Sequence, residues 1–263
     1  MTRRTFQRML GGAVAASAGL QAAAKLRLGI GTYTFHKLSI DATVEQVVRL
    51  GLREIELSHG DYMLFNKPAP EKFEAMRSLF DRRGISCVSY YTATIKDDAD
   101  LESAVRNAHI LGASHITADA TGDILRRIDE RINRDGLTFG IHNHYFKQGF
   151  AYETPDDILR ALAGRSNAMG ASLDLGHIVS CGGDTVEAIR KLAPRLKLVH
   201  LKDVQAAGGE VNVLLGQGRA RIPEAMAELR KMNFGGLVAI EYESEKPVED
   251  DVRAEVEYAR RML

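Results

Sequence analysis

The chain has 263 residues, with 35 Lys and Arg balanced by 35 Asp and Glu, so its formal net charge is zero. No Lys/Arg cluster stands out, and a nucleic-acid binder normally carries a basic footprint, so nucleic acid is excluded as a partner class. The length suits one large domain rather than several.

At the N-terminus, Thr2-Arg3-Arg4-Thr5-Phe6-Gln7-Arg8 is a twin-arginine sequence. A weakly apolar stretch from Met9 to Leu20 follows, and then Ala22-Ala23-Ala24, a small-residue cleavage site. The apolar run is too short and too rich in Ala and Gly to span a membrane. Residues 1–24 are therefore expected to be a twin-arginine signal peptide and residues 25–263 the mature fold. The expected location is periplasmic or extracellular, with no stable membrane insertion once the signal is removed. This route carries proteins that fold before crossing, often with a cofactor already bound. Loss of residues 1–24 removes three Arg and no acids, which leaves 32 basic and 35 acidic residues and a net charge of −3.

Strand-like runs then recur at 26–31, 53–58, 85–91, 114–118, 137–143, 169–175, 196–202 and 236–242. Amphipathic helical patterns separate them. In VEQVVRLGL, Val44, Val47, Val48 and Leu52 share one helical face. PEKFEAMRSLFDRRG, DLESAVRNAHILG, ILRRIDERINRDG, DDILRALAG, TVEAIRKLA and IPEAMAELRKMN follow the same 3.6-residue logic, and several end in the Gly that favours helix termination. VRAEVEYARRML would close the fold. Eight strand–helix units predict an α/β protein, a single (β/α)8 TIM barrel. Two connections, about 59–69 and 203–220, exceed a minimal turn and follow strand C-termini, where substrate-covering loops sit. Cys87 lies in an apolar run and Cys181 in a loop, and the sequence leaves open whether they pair.

Polar residues punctuate the ends of the later strands: His142 and His144, Asp174 and His177, His200 and Lys202, Glu241 and Glu243. Strand C-termini of a closed barrel converge on its active site. Residues two apart in a strand share a face, so His142 pairs with His144, Glu241 with Glu243, and Glu54 with Glu56. An inward carboxylate needs a metal, a partner or a substrate to offset its desolvation. Imidazoles with carboxylates suit one divalent metal, with Asp174, His200 and Glu241 as ligands and His142 either as the fourth or as a hydrogen-bond partner of the substrate. Asp174 could instead cap a helix. His144 is expected to contact substrate, His36 and His59 to line the mouth, and His109 to sit on a surface helix.

Through DLGH (174–177), VHLKD (199–203), LLGQGRARIPEAMAEL (214–229) and VAIEYE (238–243), the chain resembles the xylose-isomerase-like TIM barrels. That superfamily includes sugar phosphate isomerases/epimerases, inosose dehydratases and endonuclease IV. The resemblance implies metal ligands at His142, Asp174, His200 and Glu241, with His177 and Lys202 contacting substrate. Where epimerases of the family show a Glu before Asn-His, this chain reads His142-Asn143-His144. Those epimerases move a proton between two carboxylates on opposite faces of an enediolate. Imidazole in place of one carboxylate favours Mn, Zn, Co or Fe over Mg.

The leading expectation is a metal-dependent isomerase/epimerase of a small-molecule sugar or polyol, with Glu241, Glu243 or Glu56 moving the proton. Export argues against a phosphorylated substrate. The alternatives are a metal-dependent lyase that cleaves 3-keto-glycosides by β-elimination, which needs only one competent base, and a non-catalytic sugar-binding barrel. An oligomer is compatible with such a barrel.

Overall fold

The computed structural model describes residues 25–145, 147, 149–244 and 249–263, so the expected signal peptide lies outside the described residues. The strands in chain order are β1 (Arg27–Gly31), β2 (Glu54–Leu57), β3 (Ser86–Thr94), β4 (His115–Asp119), β5 (Thr138–His142), β6 (Met169–Asp174), β7 (Leu196–Leu201), β8 (Asp203–Val204), β9 (Asn212–Val213) and β10 (Leu237–Ile240). Eight of them close into a barrel in the order β1-β10-β7-β6-β5-β4-β3-β2, and every neighbouring pair is parallel. β8 and β9 form a separate antiparallel pair. The helices are α1 (Ile40–Arg49), α2 (Pro70–Arg83), α3 (Asp98–Leu111), α4 (Ile124–Asp135), α5 (Pro155–Ala161), α6 (Leu175–Ser180), α7 (Thr185–Leu192), α8 (Ile222–Lys231) and α9 (Glu249–Arg260). This is the single (β/α)8 barrel that the alternating patterns predict.

Strand periodicity explains the layering. Ile55, Leu57, Ile116, Phe139, Ile141, Leu173, Val199, Leu201, Val238 and Ile240 point outward and are buried beneath the helices. α4 answers with Leu125, Ile128 and Ile132, one stripe at three- and four-residue spacing. Burial of each such side chain contributes ~1.5–3 kcal/mol. Gly84 and Gly112 end α2 and α3 in the left-handed region, at φ 64° and 70°, which a Cβ disfavours.

Three local expectations shift. Gly51, at φ 66°, stops α1 early, so Leu52 is buried at the entrance to β2 rather than on the helix face. β10 ends at Ile240, which leaves Glu241 and Glu243 on the segment beyond the strand. The sequence after β6 forms the short helix α6, with Asp174 as its N-cap through Oδ1, which accepts from His177 N at 2.8 Å. His109 lies on α3, half exposed, as expected.

The barrel interior is not filled by branched apolar residues throughout. A small apolar cluster of Leu198, Leu237 and Ala239 occupies part of it. Small and polar side chains fill the level above: Ser89, Thr117, Gly140 and Ser172 surround Glu56 and His200. A Cβ on Gly140 would collide with Ser172 Oγ and come within 2.8 Å of His115 Nε2. Glycine there makes room for a hydrogen-bonded network.

Candidate active site at the barrel mouth

His200, at the end of β7, is fixed at both ring nitrogens. Its Nε2 meets Glu56 Oε2 in a short contact. Its Nδ1 lies 3.0 Å from His142 Nε2, 3.5 Å from Glu241 Oε2 and 3.8 Å from Asp174 Oδ2. The ligand atoms of His142, Asp174 and His200 all lie within 4.8 Å of one another, as do those of Glu56, His200 and Glu241. Burial lowers the affinity of His200 for a proton, but the charges of Glu241, Glu56 and Asp174 and the hydrogen bond to Glu56 outweigh it and raise its pKa to about 9. His142 has no such compensation: burial, then the neighbouring His144, His200 and His177, hold it well below the ordinary imidazole range.

Glu56 does not face the cavity. It is fully buried behind His200 and also accepts from Ser89 Oγ at 2.7 Å and Thr117 Oγ1 at 2.6 Å. Burial pushes its pKa up, but the charge of His200 and bonds from His200, Thr117 and Ser89 together hold it below the usual range. The expected role in moving a substrate proton gives way to orientation of His200, the carboxylate–imidazole pairing seen behind metal-ligating histidines. The network continues through the barrel. Thr117 Oγ1 is 2.9 Å from Ser172 Oγ, Ser172 Oγ is 3.0 Å from His115 Nε2, and His115 Nδ1 is 2.8 Å from Thr138 Oγ1. Burial lowers the pKa of His115 to about 4, so it sits in this chain as neutral imidazole.

Lys202 also departs from expectation. The resemblance implies a contact with substrate, yet the side chain is 1% exposed and enclosed by carboxylates. Its Nζ lies 3.0 Å from Asp174 Oδ2, 2.9 Å from Glu241 Oε1 and 2.6 Å from Glu243 Oε1. Burial opposes its charge, but Asp174, Glu241 and Glu243 outweigh burial and raise its pKa well above the usual lysine value. For Asp174, burial is likewise outweighed, by His177, Lys202 and His200, and its carboxyl is held well below the usual range. The helix-cap reading of Asp174 holds through Oδ1, while Oδ2 faces Lys202 at 3.0 Å and His200 at 3.8 Å.

The opposite wall is imidazole. His144 Nε2 lies 2.8 Å from Asp119 Oδ2 and 3.3 Å from His142 Nδ1, and the ring of Phe150 stacks on His144 at 3.8 Å. His177, on α6, closes this side, with burial first among the causes that lower its pKa to about 4. Asn143 points away and locks β5 to β6 through Asp174 O and N, at 3.0 and 2.8 Å. Asp119 was missed by the sequence reading, although it ends a strand one place before His142 in the ring. Tyr91 and Ala93 were missed too. They sit where the register of β3 shifts, and Ala93 adopts φ 64°, a strained conformation of the kind that collects at functional sites.

Tyr91, Ala93, His142, His144, Phe150, His177, His200, Glu241 and Glu243 line a cavity of about 590 Å³ together with Tyr33, His36, Ser58, His59, Met63, Phe65 and Asn66. His36 and His59 therefore reach the mouth as expected. The connection at 59–69 also contributes, through Phe65 and Asn66. The one at 203–220 contributes no lining residue. It is tied down instead by Asp203, whose carboxylate accepts from Gly216 N, Gly218 N and Ala220 N at 2.8–3.0 Å. Among the described lining residues there is no Lys or Arg. Cys87 and Cys181 form no disulfide.

The donor set fits a divalent metal. His142, Asp174 and His200 form one candidate trio and Glu56, His200 and Glu241 a second that shares His200, whose outer nitrogen is held by a carboxylate; the ammonium of Lys202 lies 3.0 Å from Asp174 Oδ2.

The chain belongs to the xylose isomerase-like TIM barrel family, which matches residues 44–262. Among curated proteins it is similar to the rhizopine catabolism protein MocC of Rhizobium meliloti, at 24% identity over 218 residues. That match covers 74% of this chain, which spans 65% of the relative's length. Solved structures share the fold. A D-tagatose 3-epimerase-like protein superposes with a TM-score of 0.73 at 18% identity, over 90% of this chain and 97% of that one. The probable 3-DHS dehydratase AsbF of Bacillus anthracis does so at 0.73 and 16%, over 89% and 99%. The D-psicose 3-epimerase of Clostridium cellulolyticum H10, solved with D-tagatose, gives 0.70 and 14%, over 90% and 99%.

Proposed function

We propose that this barrel is a metal-dependent isomerase or epimerase of an uncharged sugar or polyol, working through an enediolate. The observation that carries this reading is the pairing of two chemically different walls. Glu241 and Glu243 line one side of the cavity, and His144 and His177 line the other, with β5 three places from β10 in the eight-strand ring. On this reading the two walls would offer a proton-accepting and a proton-returning group to different sides of a molecule bound between them. Among the described residues the lining holds no Lys or Arg, which supports a substrate without phosphate.

His142, Asp174, His200 and Glu241 would hold the metal, which when bound polarises a carbonyl and its neighbouring hydroxyl and acidifies the adjacent C–H. Glu243, held by Lys202, is the carboxylate placed to take that proton. His144, oriented by Asp119, is placed to deliver a proton from the other wall. His177 is kept neutral by burial and serves as a hydrogen-bond partner for substrate hydroxyls.

A second reading, elimination from a 3-keto-glycoside, draws support from the same asymmetry. A carboxylate facing an imidazole suits removal of a C–H proton and protonation of a leaving oxygen better than symmetric exchange between matched bases. MocC and the dehydratase AsbF show how varied the chemistry named for relatives and neighbours of this barrel is. Incubation of the metal-loaded protein in deuterated water, with NMR detection of both exchange and product, tests the two. Inversion of a free sugar with deuterium gained at the inverted carbon supports the epimerase. Release of an alcohol from a 3-keto-glycoside, with no inversion, supports the lyase. Saturable sugar binding with neither outcome leaves a binding module. We also propose export by the twin-arginine route, on the strength of Arg3-Arg4 and the small-residue segment that follows.

A further inference from the structure

We propose that the cavity holds a two-ring saccharide, with the second sugar ring seated on an aromatic rim formed by Phe65 and Phe150. The inference rests on the uncharged-sugar reading above and adds the size and shape of the substrate. The reactive groups occupy only the floor: His142, His200 and Glu241 are all buried. The whole cavity measures about 590 Å³, within the ~300–1,000 Å³ of sites that enclose drug-sized ligands. A single pyranose ring leaves much of that space empty.

The rim is built to present an aromatic face. Phe65 is 64% exposed and Phe150 is 40% exposed, and both line the cavity rather than the outer surface of the barrel. The loop that carries Phe65 is anchored on all sides. His59 Nε2 donates to Leu38 O at 3.0 Å, Asn66 Nδ2 donates to Gly60 O at 2.8 Å, and Tyr90 OH donates to Tyr62 O at 2.5 Å. Its neighbours Tyr62, Met63 and Leu64 are buried. Phe65 is left out, on a short turn fixed at its base. Phe150 is fixed differently, by its stack on His144, which links the rim to the reactive wall.

Polar groups accompany the rings. Asp61, Asn66 and His36 also line the cavity. Aromatic faces beside carboxylate, amide and imidazole groups match a pyranose, which offers an apolar C–H face and a hydroxyl edge. In the elimination reading the second ring is the leaving group. In the epimerase reading it is a neighbouring residue of the same saccharide.

The test is calorimetric titration of the metal-loaded protein with glucose, cellobiose, galactose, lactose and phenyl β-glucoside. A disaccharide should bind at least about tenfold tighter than its single-ring counterpart, equivalent to about 1.4 kcal/mol. Phe65→Ala and Phe150→Ala should each reduce the two-ring to one-ring affinity ratio several-fold, and Phe65→Trp should restore it. Phe65 is exposed, so its replacement leaves the fold intact, and unchanged circular dichroism checks this. Equal affinity for one ring and two, with single sugars bound and turned over, overturns the subsite and leaves the proposed function standing. Preference for phenyl β-glucoside over every disaccharide overturns the assignment of the rim to a sugar ring. Failure of every saccharide to bind overturns the proposed function and the subsite together.

Discussion

Lys202→Met is the most informative single change for the buried charge cluster. The ammonium touches three carboxylates within 3.0 Å, and two of them, Asp174 and Glu241, are themselves buried. Methionine keeps the length and volume of the stem and removes only the charge. Removal of one partner from a buried ion pair leaves the other uncompensated, at a cost of ~3–5 kcal/mol. For a domain of this size each kcal/mol moves the melting temperature by ~2–4 °C, so the metal-free variant should melt roughly 6–20 °C below the parent. Asp174 and Glu241 are also two of the proposed metal ligands, and a divalent cation would restore the compensation that the ammonium gave. Saturating Mn(II) or Zn(II) should therefore raise the melting temperature of Lys202→Met more than that of the parent. A ligand at a hundred times its Kd contributes ~2.7 kcal/mol, enough to recover a large part of the loss. Differential scanning fluorimetry on EDTA-treated protein, with and without added metal, measures both quantities. A metal-free variant that melts within about 2 °C of the parent would show that the cluster is not organised around this cation. A variant that metal fails to stabilise would sink the metal site.

Metal uptake should release a proton, because ligation needs neutral imidazole and His200 holds its proton up to about pH 9 in the metal-free protein. The sign follows from the raised value: below pH 9 protons compete with metal, so affinity should climb by up to about tenfold per pH unit from 6.5 upward, as read by calorimetry in buffers of different ionisation enthalpy. The same raised pKa stabilises the metal-free fold fully below about 6.5, and that contribution should fade as pH rises through 9. Asp174→Ala and His200→Ala should each lower bound metal and activity together; elemental analysis that finds full occupancy in both would refute the ligand assignment. Gly140→Ala should destabilise by ~1–3 kcal/mol, because its Cβ drives into Ser172 and His115, and a chemical-denaturation midpoint equal to the parent's would contradict the packing. Arg3→Lys with Arg4→Lys should hold the precursor in the cytoplasm, and fractionation that finds it exported would count against the twin-arginine reading.

The sequence by itself determined the barrel. Strand and helix periodicities are local properties, and eight alternations of the two leave one closed parallel arrangement that buries every apolar face. It also placed His142, His144, Asp174, His177, His200, Glu241 and Glu243 at one mouth, because the direction of parallel strands is fixed by the chain. What it could not decide was which of these groups meet. Glu56 and Lys202 share with Glu241 and His200 the same strand-end position and the same chemical type, yet Glu56 stands behind His200 and Lys202 is enclosed by carboxylates. That depends on the stagger between neighbouring strands and on small side chains elsewhere, such as Gly140, Thr117 and Ser172, whose distance in sequence from Glu56 hides their role. Asp119 became visible only once β4 stood beside β5 and brought it to His144. The mouth loops divided in the same way. Composition marked both, but only tertiary hydrogen bonds tied 203–220 to Asp203 and left Phe65 facing the cavity. Periodicity is written along the chain, whereas partnership between side chains is set across the barrel, where strand register and the volume of every neighbour decide which polar groups come within hydrogen-bonding distance.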